Sequence, residues 1–553
     1  MNFTQPFIQD DRTRKYLAPV RIMWEGGDVS NSKCLVGRVR RQMDFVETDV
    51  MTLKNGEDGE NAAILIDFGR EIHGGVRIQT YNCIGMKTPR LRLSFGESAT
   101  EAMSDIGYKN TTNEHSIRDM TIILNWMSDS EFGTTGYRFL RIELLEKNVS
   151  VEINAIMAAF VYRDLEYKGS FECDNARLNE IYDICAYTCH VNMQTLLWDG
   201  IKRDRAVWIG DMHPEMLTIR TVFGYDYCVT DSLTFIKEKT ELPAWMNTLP
   251  TYSMWWVIIL YDWYLHNGKL DFVLEQKDFL EKLMAQLCDE INEKGEDTLP
   301  RYFLDWPSDG RPEAAAGVRA IMDMALRKGA LILDIYGDTE LAARCRKVAD
   351  ILKANIPAPY HWKQSAALMT LAGHIDAKTA AEEVLCVGGA RGLSTFMSYY
   401  MLTAVSMAGR TAEALDMLET FYGAMIDRGA TTFWEDFNLD WLENSGRIDE
   451  FPQEGQEDIH GDNGAFCYVG FRHSLCHGWA SAPTAFLAER VLGFTILEPG
   501  CKKMAIRPDL GNLSWAKGTY PTPYGIITVS HKKNADGTIT TEYSAPKEIE
   551  IVK

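Results

Sequence analysis

A chain of 553 residues is long enough for two to four domains with full cores, and its 46% hydrophobic and 24% charged composition is that of an ordinary globular protein. The formal net charge of −21 argues against a nucleic-acid or anionic-membrane partner, since both need basic patches. No apolar run reaches about eighteen residues, so no membrane span is expected, and the polar start Met1-Asn2-Phe3-Thr4-Gln5 has no apolar leader core.

Residues 1–168 read as an N-terminal β-sandwich domain. Short, often alternating runs at 62–69, 74–80, 91–96, 121–125, 138–144 and 149–153 lie between Gly, Asn and Asp breaks, the pattern of an antiparallel sandwich. Tyr167-Lys168-Gly169-Ser170-Phe171 marks the junction to the next domain. Over 169–492 the period changes to 3.6. Asp174 is placed to cap a first helix, and Asp211 to cap a second over 212–223, with Gly224 beyond its end. Further helices are expected at 272–293, 317–336, 339–354, 379–386, 395–408, 410–422 and 482–492. About a dozen in paired hairpins would close into an (α/α)6 barrel; a helical solenoid is the alternative, but no sequence repeat supports it. The acidic, Gly-rich span 443–464 reads as a long ordered loop or lid, or as a mobile surface loop. Residues 493–553 return to β: Pro521 to Gly525 forms a turn, 526–530 a strand, and Asp536-Gly537 a hairpin signal, making a small C-terminal sheet domain.

Twelve cysteines occur without a C-x-x-C pair, many in apolar runs as buried thiols do, which predicts a reducing, cytoplasmic setting. The Asn-x-Ser/Thr matches at Asn2, Asn110, Asn148 and Asn512 are then accidental. There is no P-loop, no dinucleotide-binding G-x-G-x-x-G and no zinc-ligand spacing, so no cofactor and no metal are expected.

The stretch Trp198 to Asp211 holds three carboxylates, three cations and two tryptophans in fourteen residues, between two predicted helices. A salt-bridge knot joining the helices accounts for the charges as well as a site does. The indoles favour a sugar site, which needs apolar platforms for C–H faces, acceptors for hydroxyls and a carboxyl able to give a proton. Three more acidic-aromatic clusters lie between helices: Phe303-Leu304-Asp305-Trp306, Ala430-Thr431-Thr432-Phe433-Trp434-Glu435-Asp436, and Cys476-His477-Gly478-Trp479. In a closed barrel all could line one mouth. Trp255 and Trp256 read as core.

These motifs resemble those of the α-L-rhamnosidases of glycoside hydrolase family 78. The family's Asp-Cys-Pro-Gln-Arg-Glu-x-x-Gly-Trp-x-Gly-Asp is similar to Asp199 through Asp211 in register and length, and its Ala-Thr-Thr-x-Trp-Glu to Ala430 through Glu435. Cys476 through Ala480 resembles its Asn-His-Tyr-Ala-x-Gly. The resemblance covers nearly the whole chain. Three departures stand out: Asp204 replaces a Glu, Gly200-Ile201-Lys202 replaces Cys-Pro-Gln and so alters the expected pocket wall, and Val207 replaces a Gly.

The resemblance implies an inverting hydrolase releasing terminal α-L-rhamnose from a small glycoside, with a homo-oligomer left open. Asp204 would be the general acid, its proton retained by burial and by Asp199 and Asp211; Glu435 would be the general base. Asp199, Arg203 and Asp211 would bind hydroxyls, and Trp208, Trp306 and His477 would shape the pocket around the ring and its 6-deoxy methyl. An inverting glycosidase of the same barrel for another sugar and a non-catalytic carbohydrate-binding protein are the rival readings. Asp204 in place of Glu keeps the last one open.

Overall fold

The computed structural model describes residue 6 and residues 8–46, 48–357 and 362–552. The start Met1 to Gln5, with the Asn2 match, lies outside the described residues. Nine strands near the N-terminus hydrogen-bond into one antiparallel sheet. The order is Asp28–Ser30, Met51–Asn55, Val149–Arg163, Ala63–Ile84, Asp129–Leu144, Arg90–Gly96 and Asp119–Ile123. Arg12–Leu17 adds to the 149–163 strand and Arg21–Gly26 to the 63–84 strand. The two runs predicted at 62–69 and 74–80 are a single strand. Irregularities between Asp67 and Ile72 and between Gly74 and Val76 let it bend while it keeps its partners. Gly74 is needed there: a Cβ would stand 1.9 Å from the Ala159 carbonyl. Three strands long enough to change partners along their length thus join in one sheet what short runs suggest as two.

Among the described residues, thirteen α-helices follow between residues 176 and 486. Most predicted helices are present with shifted ends; the 272–293 run is split into Leu270–Glu275 and Lys277–Asp289. Three were not predicted: Tyr227–Glu238, Pro250–Asn267 and Lys363–Leu371. Six helices touch in a closed circuit: Met212–Val222, Pro250–Asn267, Ala315–Tyr336, Lys363–Leu371, Ser398–Met407 and Pro483–Phe486, which returns to the first. Among the described residues no helix is long and apolar enough to cross a membrane, and no disulfide is formed.

The predicted junction is itself structural. Ser170–Cys173 is a strand paired with Trp515–Thr522, so the closing four-stranded sheet takes its first strand from the head of the helical region. Asp174 accepts hydrogen bonds from Ser514 rather than capping a helix; Asn175 caps Ala176–Asn192, accepting from the backbone of Arg177 and Leu178. A second, three-stranded sheet pairs Phe494–Ile496, Lys503–Ile506 and Glu550–Val552.

The N-terminal sheet and the helices share a seam. Ile201 and Cys476 are buried in the sheet's own core. Arg138, on a sheet strand, pairs with Asp67 at 2.9 Å, reaches Asp449 at 3.3 Å and donates to the Gly429 carbonyl at 3.0 Å. The Ile448 carbonyl accepts from Ala99 N–H at 2.9 Å. The 443–464 span is therefore an ordered strap pinned to the sheet. Asp67→Ala leaves Arg138 buried with its nearest charge partner gone, a loss of about 3–5 kcal/mol for such a broken pair. The urea midpoint should fall accordingly; an unchanged midpoint would mean that apolar contacts alone carry the seam.

Candidate active site

The 198–211 loop folds back on itself. Asp199 N–H donates to the Ala206 carbonyl at 3.1 Å, and Ala206 N–H donates to Asp199 Oδ1 at 2.9 Å. At its tip Asp204 and Arg205 adopt left-handed backbone, φ 56° and 54°. Aspartate tolerates this conformation through its short polar side chain. Arg205 is held in it by donating to the carbonyls of Thr134 at 3.1 Å and His115 at 3.0 Å. The loop ends at Gly210, where a Cβ would meet the Tyr252 ring at 2.2 Å. That close packing lets Tyr252 OH donate to Asp211 Oδ1 at 2.6 Å. Asp211 stands at the N-cap position as predicted, but its side chain makes no capping bond and turns to the pocket instead.

Backbone bonds stitch three distant segments together. Gly478 N–H donates to the Asp199 carbonyl at 2.7 Å, His477 N–H to Phe433 at 3.0 Å, and Glu435 N–H to Ser474 at 2.9 Å. The result is a cavity of about 230 Å³ lined by all eight residues singled out above: Asp199, Arg203, Asp204, Trp208, Asp211, Trp306, Glu435 and His477. His115, Tyr252, Phe303, Cys467, Arg472 and Trp479 also line it. Trp306 stands edge-on to Phe303 at 5.4 Å. Trp255 and Trp256 are buried away from this cavity.

One buried guanidinium sits between two carboxylates. Arg203 donates from Nη1 to Asp204 Oδ1 at 3.2 Å and from Nη2 to Glu435 Oε1. Burial alone would raise Glu435, but Arg203, then His477 and His473, outweigh it and hold the carboxyl down at about 2. Burial lowers His477 to about 4 and His473 well below the usual range, so at neutral pH Arg203 is the cation that keeps Glu435 ionised. His477 Nε2 faces Asp199 at 3.8 Å, Asp211 at 3.9 Å and Glu435 at 3.8 Å. Burial, then Asp204 and Asp211, pushes Asp199 well above the carboxylate range. Burial also lifts Asp211 to about 8 against its bond from Tyr252. The deep burial expected for Asp204 thus belongs to its neighbours. Its own side chain is 18% exposed at the mouth, accepting from Trp208 Nε1 at 3.0 Å and facing His115 Nδ1 at 2.8 Å.

Two of the motif departures lie off the pocket wall, contrary to expectation. Ile201 enters the sheet core, and Lys202 Nζ pairs with Glu97 at 2.9 Å and Glu101 at 3.2 Å. Glu97, Glu101 and His460 hold possible metal-ligand atoms within 4.8 Å of one another, but the Lys202 ammonium already supplies the cation there. Gly200 pairs with His477 in an isolated bridge. Val207 is buried, and the left-handed positions are 204 and 205 instead. Asp436, beside Glu435, is pushed up by burial to about 7 and does not line the cavity.

Sequence reasoning missed His115, which comes from a loop of the N-terminal sheet and carries no motif. Its sole signal is a non-glycine residue at φ 66°. Arg472 and Cys467 come from the segment between Glu435 and His477.

Comparison with known proteins finds likeness to α-L-rhamnosidases. The bacterial α-L-rhamnosidase six-hairpin glycosidase domain matches residues 166–387, and the bacterial α-L-rhamnosidase C-terminal domain matches 493–551. An α-L-rhamnosidase of Alteromonas sp. (strain LOR) is 24% identical over 588 aligned residues, covering 93% of this chain and 59% of that protein. The family 78 rhamnosidase of Bacillus sp. GL1 shares the fold with a TM-score of 0.72 at 21% identity, over 91% of this chain and 54% of that one. A rhamnosidase from Klebsiella oxytoca, solved with rhamnose bound, has a TM-score of 0.66 at 18% identity, over 86% of this chain and 96% of that one. This chain spans a little over half the length of the first two relatives. It belongs to the α-L-rhamnosidase family.

The raised Asp211 carboxyl gives a pH test. A carboxyl whose folded pKa lies near 8 keeps its proton through a window in which the unfolded chain, near 3.8, has lost it. The folded state therefore loses stability as pH rises through that window. Asparagine cannot ionise. Asp211→Asn should gain in Tm relative to wild type from about pH 5 to pH 8; a difference independent of pH would show that Asp211 is not held protonated.

Proposed function

We propose that this chain is an inverting glycoside hydrolase that releases terminal α-L-rhamnose from rhamnosides, with Asp204 as general acid and Glu435 as general base. The observation that carries the reading is the Arg203 guanidinium between those two carboxyls, in a cavity also lined by Asp199, Asp211, Trp208, Trp306 and His477. The volume of about 230 Å³ lies below the roughly 300–1,000 Å³ of pockets for drug-sized ligands and suits one terminal ring. The closed circuit of six helices supports an (α/α)6 barrel, with the site at one end of it.

In this reading Asp204, at the mouth, protonates the glycosidic oxygen as the bond to the anomeric carbon breaks. Glu435, ionised and on the far side of Arg203, takes a proton from the water that attacks the opposite face. Burial pushes Asp199 up and lifts Asp211 to about 8, and the protonated carboxyls this favours can donate to as well as accept from sugar hydroxyls. Arg203 can pass one of its N–H groups to the substrate, which frees Glu435 and restores its basicity. The indoles of Trp208 and Trp306 and the neutral His477 ring border the sugar's apolar edge and methyl group. A cytoplasmic setting belongs to the same proposal, supported by the buried thiols.

A panel of aryl glycosides tests the sugar. Turnover of a different glycoside with α-L-rhamnoside untouched would replace the substrate, and L-rhamnose binding without any turnover would make the protein a lectin-like binder. NMR of the first-formed sugar tests the mechanism: inversion is expected, and a retained anomer overturns it. Asp204→Asn should lose about 10²–10⁴-fold on poor leaving groups and little on activated aryl glycosides, whereas Glu435→Gln should lose on both. Equal losses on both substrates in Asp204→Asn would remove it from the acid role.

A further inference from the structure

We propose that His115, contributed by the N-terminal domain, is a positioning residue for the general acid: by accepting the backbone N–H of Asp204 and standing against its carboxyl, it fixes the direction of that carboxyl. The proposal rests on the assignment of Asp204 as acid and adds to it a residue from outside the helical domain and outside every motif.

Two contacts made by one nitrogen carry the argument. His115 Nδ1 accepts the backbone N–H of Asp204 at 2.8 Å, so that nitrogen presents a lone pair and the ring proton is on Nε2. The same Nδ1 lies 2.8 Å from Asp204 Oδ1. The backbone N–H takes the one lone pair of that nitrogen, so the ring is fixed against the carboxyl and limits how it can turn. Trp208 Nε1 on Oδ2 and Arg203 Nη1 on Oδ1 complete the orientation.

The surroundings hold this geometry against strain. His115, Asp204 and Arg205 are all left-handed, at φ 66°, 56° and 54°, and they contact one another. Left-handed non-glycine residues persist where their neighbours over-determine them, and such residues gather at functional sites. Here Arg205 clamps the His115 carbonyl at 3.0 Å, Ser116 Oγ donates to the Lys202 carbonyl at 2.6 Å, and Arg472 holds Glu114 at 2.7 Å. Glu114 in turn faces His115 Nε2 at 3.7 Å, on the side where the ring proton is assigned.

A turnover conserves protons. The Asp204 proton passes to the leaving oxygen, and Glu435 releases to solvent the proton it took from water. The partly exposed Asp204 carboxylate takes one proton back from solvent.

The test uses the full chain and two substrates, an alkyl α-L-rhamnoside and an activated aryl α-L-rhamnoside. His115→Phe keeps the ring volume and has no acceptor. It should lower kcat/KM on the alkyl substrate about 10–100-fold, the loss of one strong hydrogen bond, and change the aryl substrate little. His115→Asn places an acceptor where Nδ1 stands and should recover most of the loss. His115→Gln moves the acceptor outward and should behave like Phe, so the Asn–Gln contrast decides the matter even if the Phe variant does not fold. Equal effects on both substrates, or Asn no better than Gln, overturn the proposal. If Asp204→Asn discriminates between the substrates and the His115 variants do not, the acid assignment stands without His115. If Asp204→Asn itself fails to discriminate, both fall.

Discussion

The pocket depends on one cation. Four carboxyls line a small cavity, and uncompensated buried charge costs several kcal/mol for each ion. Among the described residues that line it, Arg203 is the only buried guanidinium or ammonium, and it resolves the conflict by geometry: its planar fork spans two acids at once, which a lysine ammonium does not do. Asp199 and Asp211 have no such partner, and burial drives them toward the neutral form. A single guanidinium therefore separates Glu435, held down, from Asp199 and Asp211, pushed up, so that like residues are set apart in their readiness to ionise.

Arg203 is held in place from the seam. Next to it, Lys202 is anchored by Glu97 and Glu101 on the sheet side and donates to the carbonyls of Phe471 at 3.0 Å and His473 at 2.6 Å on the helical side. Glu97 accepts from Ser474 Oγ at 3.1 Å and from Leu475 N–H at 2.6 Å, and Ser474 N–H reaches Glu435 Oε2 at 3.2 Å. A chain of hydrogen bonds thus runs from the sheet to the carboxylate read as the base, while His115 reaches the one read as the acid. Two of the residues where the motif departs from the family's, Ile201 and Lys202, dock onto the sheet side, so those two departures belong to the seam.

What was legible in the sequence follows from how locally each feature is encoded. Asp199 through Asp211 could be read because glycines, indoles and acids are concentrated in one connection, and the long amphipathic helices because one face is polar. The helix Pro250–Asn267 is apolar all round, with Trp255, Trp256, Ile258 and Trp263 all buried, so it has no stripe to detect. The strands Arg12–Leu17 and Arg21–Gly26 are short, largely exposed and charged, which hides period 2. The continuity of Ala63–Ile84 was hidden by its own bulges, since Gly69, Gly74 and Gly75 read as breaks. His115 was out of reach for another reason: nothing within its own loop foretells which distant loop it will meet.

The seam also divides the pocket by inheritance. Asp199, Asp204, Asp211, Glu435 and His477 lie on the connections of the helical region, whereas His115 and the anchors Glu97 and Glu101 lie in the N-terminal domain, on segments between its strands. A recombination event that replaced the sheet would leave every carboxyl of the cavity unchanged and exchange the residue facing Asp204. The graft would seat only if the donor brought acids to meet Lys202, because that buried ammonium would otherwise enter the interface without a counter-charge. The two parts of the gene are thus free to vary in sequence but bound to travel together, and Lys202 with its two glutamates is the lock between them.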